Sequence, residues 1–152
     1  MSICLIDTSV FCNIVNVPGR NQQRIEILAR LKELAKDKVS LLLPLVAILE
    51  TGNHIGHLAD GGHRRQAAQR FVGQVEAALN GSAPWHPTPF VEATELRSWL
   101  AEFPNHASRG SGLGDLSVIK EWERQRQLNP LRRVFIWSYD QHLLAYDTVN
   151  GV

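Results

Sequence analysis

The chain has 152 residues, with 16 Lys and Arg against 15 Asp and Glu, so its formal net charge is +1 at pH 7. Hydrophobic residues make up 44% and charged residues 20%, which excludes an intrinsically disordered chain, a collagen-like chain and a fibrous repeat. The length is that of one domain, residues 1–152. The near-neutral charge excludes binding to nucleic acid through net charge alone, although a basic patch can still lie beside an acidic pocket.

Cysteine usage and the N-terminal sequence indicate the cellular compartment. Cys4 and Cys12 do not form a CxxC pair, and Cys4 lies inside an apolar run, which predicts a buried, reduced thiol. No basic segment precedes Asp7, so no signal peptide is predicted. The longest apolar run, residues 41–49, contains Pro44 and is shorter than the roughly 20 residues that span a bilayer. We therefore expect a cytoplasmic protein that does not contact membranes.

The first half of the chain alternates short apolar runs with amphipathic segments. Residues 3–6 form a continuous apolar run, which predicts a strand buried on both faces, and Asp7 or Ser9 can cap a short helix after it. Residues 40–43 predict a second strand, and Pro44 suits the first turn of the helix that follows. Helical spacing predicts two longer helices, whose apolar positions are Ile25, Leu28, Leu31, Leu34 and Ala35 in one and Ala67, Phe71, Val75, Ala78 and Leu79 in the other.

The second half continues this alternation. Residues 85–90 are rich in proline and predict at best an edge strand, whereas residues 134–137 predict a buried strand. A glycine-rich loop at residues 110–114 leads into Asp115, and a short amphipathic helix is predicted at residues 142–146. Two more helices are predicted from the apolar positions Leu96, Trp99, Leu100 and Phe103, and then Leu116, Ile119 and Trp122. Strands that alternate with helices predict an α/β fold with a central parallel sheet.

Four carboxylates occupy related positions in these elements. Asp7 ends the first strand, Asp140 follows the strand at 134–137, Asp115 begins a helix, and Glu50 lies about two turns beyond the second strand. Ligands of parallel sheets bind outside the carboxyl ends of the strands, so we expect these acids to converge. Although a single Asp after a strand is more commonly a turn former or cap, converging acids repel one another unless cations neutralise them. Oxygen ligands suit Mg²⁺ or Mn²⁺, which assist the attack of water on a phosphodiester.

Four short motifs occur in order along nearly the whole chain. They are Ile3-Cys4-Leu5-Ile6-Asp7-Thr8-Ser9-Val10, Leu42-Leu43-Pro44-Leu45-Val46-Ala47-Ile48-Leu49-Glu50, Gly114-Asp115-Leu116-Ser117-Val118-Ile119 and Trp137-Ser138-Tyr139-Asp140. Together they resemble the motifs of the PIN-domain family. The resemblance implies a three-layer α/β/α sandwich with a central parallel sheet, and a metal-dependent nuclease that usually acts on RNA.

The same resemblance implies roles for individual residues. Asp7, Glu50, Asp115 and Asp140 would be the catalytic metal ligands for Mg²⁺ or Mn²⁺, and Ser9 would be a nearby polar residue that orients water or a ligand. Many family members are VapC-type toxins paired with an antitoxin, and PIN-like domains often dimerise. RNA, an antitoxin protein and a second copy of the chain are therefore the expected partners. The family's last strand is expected to be short or missing here, because little chain follows the fourth motif.

Several residues outside the motifs are candidates for binding substrate or a partner. Arg64 and Arg65 lie on the long middle helix, and Arg109 flanks the loop that leads to Asp115. Such cations contact phosphates in nucleic-acid complexes, although a solvated helix face explains the first two equally well. Trp85 lies near two prolines and is predicted to be exposed, where it would stack on a base or contact a partner.

Other functions explain the sequence less well. His54, His57 and His63 are close in sequence but have no cysteine beside them to complete a zinc site. The glycine-rich loop is not a GxGxxG motif and does not follow a strand. Two alternatives to the nuclease stay open: a catalytically silent PIN scaffold that binds nucleic acid or protein, and a small phosphatase that uses the same metal site.

Overall fold

The computed structural model describes residues 1–148, which form one five-stranded sheet with helices on both faces. The strands are β1 (Ile3–Ile6), β2 (Ser40–Leu43), β3 (Trp85–Pro87), β4 (Val134–Trp137) and β5 (Asp147–Thr148). The helices are α1 (Thr8–Val15), α2 (Arg24–Lys36), α3 (Leu45–Gly56), α4 (Gly61–Leu79), α5 (Ala93–Ser108) and α6 (Leu113–Leu128). Residues 149–152, which belong to the segment expected to hold a short last strand, lie outside the described residues.

The order of the strands determines where a cleft can form. The order is β3-β2-β1-β4-β5; β1 to β4 are parallel and β5 is antiparallel to β4. The chain runs outward from β1 to β3 and then returns to β4 on the other side of β1, so the order reverses between β1 and β4. A crevice opens at the carboxyl ends of the strands at such a reversal. The predicted α/β/α sandwich with a central parallel sheet is confirmed.

The central strand β1 is buried on both faces, as its continuous apolar run predicted. Cys4 and Ile6 pack into the hydrophobic cluster formed with α1 to α4. Ile3 and Leu5 point to the opposite face, where they pack with Val118 of α6. Burial raises the pKa of the Cys4 thiol to about 12, which confirms the predicted core thiol. Two covered faces thus fix the position of the residues that follow this strand.

The prediction that Trp85 is exposed is wrong. Only 4% of its surface is accessible, and its ring packs edge-to-face against Phe11 with 6.0 Å between ring centroids. Strand β3 is a three-residue edge strand, as predicted, but it pairs in parallel with β2 so that Trp85 lies opposite Leu41. This register turns the indole into the core shared with α1 to α4. Trp85 is therefore not available to stack on a base.

The short helix predicted at residues 142–146 is also absent, because this segment forms a turn. The backbone N–H of His142 donates to Oδ1 of Asp140 (2.8 Å), a local bond that competes with helix formation. The chain then forms the two-residue strand β5, which Arg133 holds through hydrogen bonds of 2.8 and 2.5 Å to the carboxylate of Asp147.

Helix α5 forms where predicted, yet none of its residues is buried. It packs on α6, and its apolar side chains Leu96 and Leu100 are 41% and 49% exposed. The apolar spacing therefore predicted the helix correctly but not its burial. Within residues 1–148, no helix has both the length and the apolar character needed to cross a membrane.

Candidate functional site

The four predicted acids lie together in one open cleft of about 290 Å³ at the carboxyl ends of β1 and β4. Asp7 follows β1, Asp140 follows β4, Glu50 lies on α3, and Asp115 lies in the first turn of α6. Ser9 also lines the cleft. Four segments far apart in sequence thus bring carboxylates to the point where the strand order reverses.

Asp7 is held by hydroxyl groups, although it occupies the N-cap position of α1. Its carboxylate makes no capping bond; instead, Oδ2 accepts hydrogen bonds from Oγ of Ser9 (3.1 Å) and Oγ of Ser138 (2.7 Å). Its backbone N–H donates to the carbonyl of Trp137 (3.1 Å), which ties the ends of β1 and β4 together. The same Ser138 hydroxyl accepts a hydrogen bond from the backbone N–H of Asp140 (2.9 Å). One serine therefore positions two of the acids.

Glu50 is fixed from two sides. The buried hydroxyl of Thr8 donates to Oε2 of Glu50 (2.8 Å). On the other side, the carboxylate lies directly against the backbone of Gly114, where a Cβ atom would overlap Oε1 and would lie 3.2 Å from Cδ. Only glycine allows this approach without displacing the glutamate. Glycine at position 114 thus leaves the room that the Glu50 carboxylate occupies.

Two of the cleft's acids, Asp115 and Asp140, belong to a compact group of potential metal ligands. One ligand atom each from Asp115, Asp140 and His142 lies within 4.8 Å of the others, and all three residues are half-buried. Among the residues that the structure describes, this is the one such group, and the three histidines between positions 54 and 63 do not belong to it. Carboxylate donors together with an imidazole fit a divalent cation.

Two of the four acids, Glu50 and Asp115, have raised pKa values. Burial is the largest cause that raises the pKa of Glu50, and the charges of Asp7, Asp115 and Asp140 add to it, against the hydrogen bond from Thr8. Burial and the charges of Asp140 and Asp7 likewise raise the pKa of Asp115. A cation bound among these carboxylates would offset the repulsion that contributes to both shifts. Perturbed carboxyl groups are also typical of functional sites.

These pKa shifts predict how stability depends on pH in EDTA. Glu50 and Asp115 have raised pKa values in the folded protein, so the stability they contribute is fully present below the unfolded values of 4.5 and 3.8 and is lost as pH rises through the folded values. At pH 7.5, Asp115→Asn should therefore melt above the wild type. Solvent screening limits the gain to about 2 °C.

Thermal unfolding at pH 4 and pH 7.5 in EDTA, followed by circular dichroism, measures this effect. The difference between Asp115→Asn and the wild type should grow with pH, and saturating Mn²⁺ should reverse it because the wild type binds the ion better. An Asp115→Asn protein that melts below the wild type at pH 7.5 in EDTA would show that the carboxylate stabilises the metal-free fold.

The arginines at the cleft differ from those that the sequence suggested. Arg64, Arg65 and Arg109 do not line the cleft, whereas Arg20, from the loop after α1, does. Arg64 instead donates to the carbonyl of Leu58 (2.7 Å), so its guanidinium stabilises the start of α4. Arg20 was missed because a single arginine in a turn has no periodicity or motif to distinguish it.

Sequence reasoning also missed four residues that shape the site. They are Thr8, Gly114, Ser138 and His142. The first three lie inside the four motifs. Their closeness in sequence to a predicted acid could have indicated that they belong to the site. His142 had no such signal, because a helix was predicted around it.

An apolar groove of about 360 Å³ borders the acidic cleft and shares Glu50 with it. Its walls include Leu49 of α3 and Leu96 and Trp99 of the exposed helix α5. The acidic cleft therefore has one polar margin, which includes Arg20, and one apolar margin.

Comparison of this chain with family models, with curated proteins and with solved structures finds no match. The resemblance to PIN domains rests on the four sequence motifs.

Proposed function

We propose that this protein is a divalent-metal-dependent endoribonuclease of the PIN type, which uses Asp7, Glu50, Asp115 and Asp140 to bind Mg²⁺ or Mn²⁺. The observation that carries the proposal is that four carboxylates from separate segments line one open cleft where the strand order reverses. Repulsion among these carboxylates is tolerated when a divalent cation, and the phosphate that it binds, occupy the cleft.

Each part of the cleft has a task in this reaction. Mg²⁺ or Mn²⁺ held by the four acids would supply Lewis acidity, which would activate water and stabilise the charge that develops on the phosphate. Ser138 and Ser9 hold the Asp7 carboxylate through Oδ2, and Thr8 holds Glu50 through Oε2. These hydroxyls keep the acids oriented before the ion arrives, so little reorganisation accompanies the reaction. In-line attack by water leaves a 5′-phosphate and a 3′-hydroxyl.

The choice of RNA comes from the PIN resemblance, because this mechanism needs no 2′-hydroxyl. Arg20 supports a polyanionic substrate, since it is a cation at the margin of an otherwise acidic cleft. The resemblance also supports regulation by an antitoxin and pairing with a second copy in the cytoplasm. A small DNA-binding protein encoded beside this chain would support the toxin assignment.

A metal-titrated cleavage assay tests the proposed function. Single-stranded RNA, hairpin RNA and single-stranded DNA of matched sequence are incubated with the protein in EDTA, Mg²⁺ or Mn²⁺. We expect RNA cleavage only with a divalent ion, giving 5′-phosphate ends that a phosphatase can remove.

The other outcomes separate the alternatives. Cleavage that persists in EDTA, or 2′,3′-cyclic phosphate products, would exclude the proposed mechanism. Cleavage of DNA in preference to RNA would support the metal site but contradict the assignment of RNA as the substrate. RNA binding without turnover under any metal would favour the silent scaffold, and turnover of a phosphomonoester alone would favour the phosphatase.

A further inference from the structure

His142 is the one residue of the compact ligand group that the PIN resemblance does not assign. Its imidazole, Asp115 and Asp140 each present a ligand atom within 4.8 Å of the others. Atoms that bind one ion at about 2.1 Å lie at most about 4.2 Å apart, so small side-chain movements would bring all three onto a single cation.

The local backbone keeps His142 beside Asp140. The N–H of His142 donates to Oδ1 of Asp140 (2.8 Å), and the segment continues as a turn instead of the predicted helix. Ser138 holds the N–H of Asp140 from the other side (2.9 Å). Within residues 1–148 the imidazole itself forms no hydrogen bond, so its nitrogens are available to an ion.

We infer that His142 is a third protein ligand of the divalent ion, with Asp115 and Asp140, and that it gives the site a preference for Mn²⁺ over Mg²⁺. The inference rests on the metal site of the proposed function and deepens it. Mg²⁺ binds oxygen ligands and keeps several waters, whereas imidazole nitrogen suits transition ions. One nitrogen among carboxylates therefore shifts selectivity between these two ions.

Electron spin-echo spectroscopy of the Mn²⁺ protein without RNA detects a bound imidazole directly through coupling to ¹⁴N. We expect this coupling in the wild type and its loss in His142→Gln. His54→Gln is the matched control, because His54 lines the cleft but does not belong to the compact ligand group, and it should keep the coupling. The wild type should also bind Mn²⁺ more tightly than Mg²⁺ in calorimetric titrations. His142→Gln should reduce the ratio of the Mn²⁺ affinity to the Mg²⁺ affinity about 10-fold or more.

The inference is overturned if the wild type shows no ¹⁴N coupling, if His142→Gln keeps it, or if the affinity ratio is unchanged in that variant. Melting of His142→Gln in EDTA at the wild-type temperature confirms that the fold is intact. The failure of the inference is distinguishable from that of the proposed function. Metal-dependent cleavage without ¹⁴N coupling would contradict only the assignment of His142 as a ligand. Cleavage that persists in EDTA would contradict the metal-dependent nuclease mechanism.

Discussion

Replacing Asp115 by Asn is expected to reduce Mn²⁺-dependent RNA cleavage by about 10³-fold, which corresponds to about 4 kcal/mol of transition-state stabilisation. Asp115 belongs to the compact ligand group, and it faces the charges of Asp7 and Asp140. An amide at this position keeps the shape of the side chain but removes the negative charge that attracts the ion. Cleavage rates at saturating RNA, measured over a range of Mn²⁺ concentrations, test this expectation.

The variant separates catalysis from folding. Asp115 is half-buried at the start of α6, and loss of its charge relieves repulsion in the metal-free cleft, so the fold should survive. Asp37→Asn is the matched control, because Asp37 is an exposed acid at the end of α2 and should cleave at the wild-type rate. Equal rates for Asp115→Asn and the wild type would place the reaction elsewhere on the protein.

The fold was predictable where the signal is local. A strand covered on both faces is a continuous apolar run, and β1 and β4 could therefore be read directly from residues 3–6 and 134–137. The convergence of Asp7 and Asp140 followed from the same argument, because both lie just beyond those strands. Parallel pairing brings the ends together without further information.

The errors arose where the answer depends on distant contacts. Trp85 became a core residue because pairing between β3 and β2 sets which face it points to, and no nearby residue encodes that register. The role of His142 was missed because helical spacing predicted a helix around it. The hydrogen bond from its backbone N–H to Asp140 stabilises a turn instead. Arg20 reaches the cleft through the packing of the loop after α1. Carboxylates were predictable from their strands, but their supporting side chains needed the assembled structure.

Gly114→Ala should disable the site while leaving the fold intact. In the middle of a helix, alanine is more stabilising than glycine by about 0.5–1 kcal/mol, and in the first turn of α6, where Gly114 lies, it should at least be tolerated. Here the added Cβ would overlap Oε1 of Glu50 and lie 3.4 Å from Cγ2 of Val46. The carboxylate is the mobile end of a flexible side chain, so it should swing away, which costs its hydrogen bond from Thr8 but leaves the fold in place. We expect Mn²⁺ affinity to fall about 10-fold and the cleavage rate about 10²-fold.

Gly112→Ala is the matched control, because a Cβ at that position meets no atom within 4 Å, and it should bind Mn²⁺ as the wild type does. Calorimetric titration with Mn²⁺ and the cleavage assay are run on both variants. In the Gly114→Ala background, Glu50→Asp should recover part of the lost affinity, since the shorter carboxylate no longer meets the new methyl group. If Gly114→Ala binds Mn²⁺ with wild-type affinity, Glu50 does not contribute to ion binding and is not one of the proposed metal ligands.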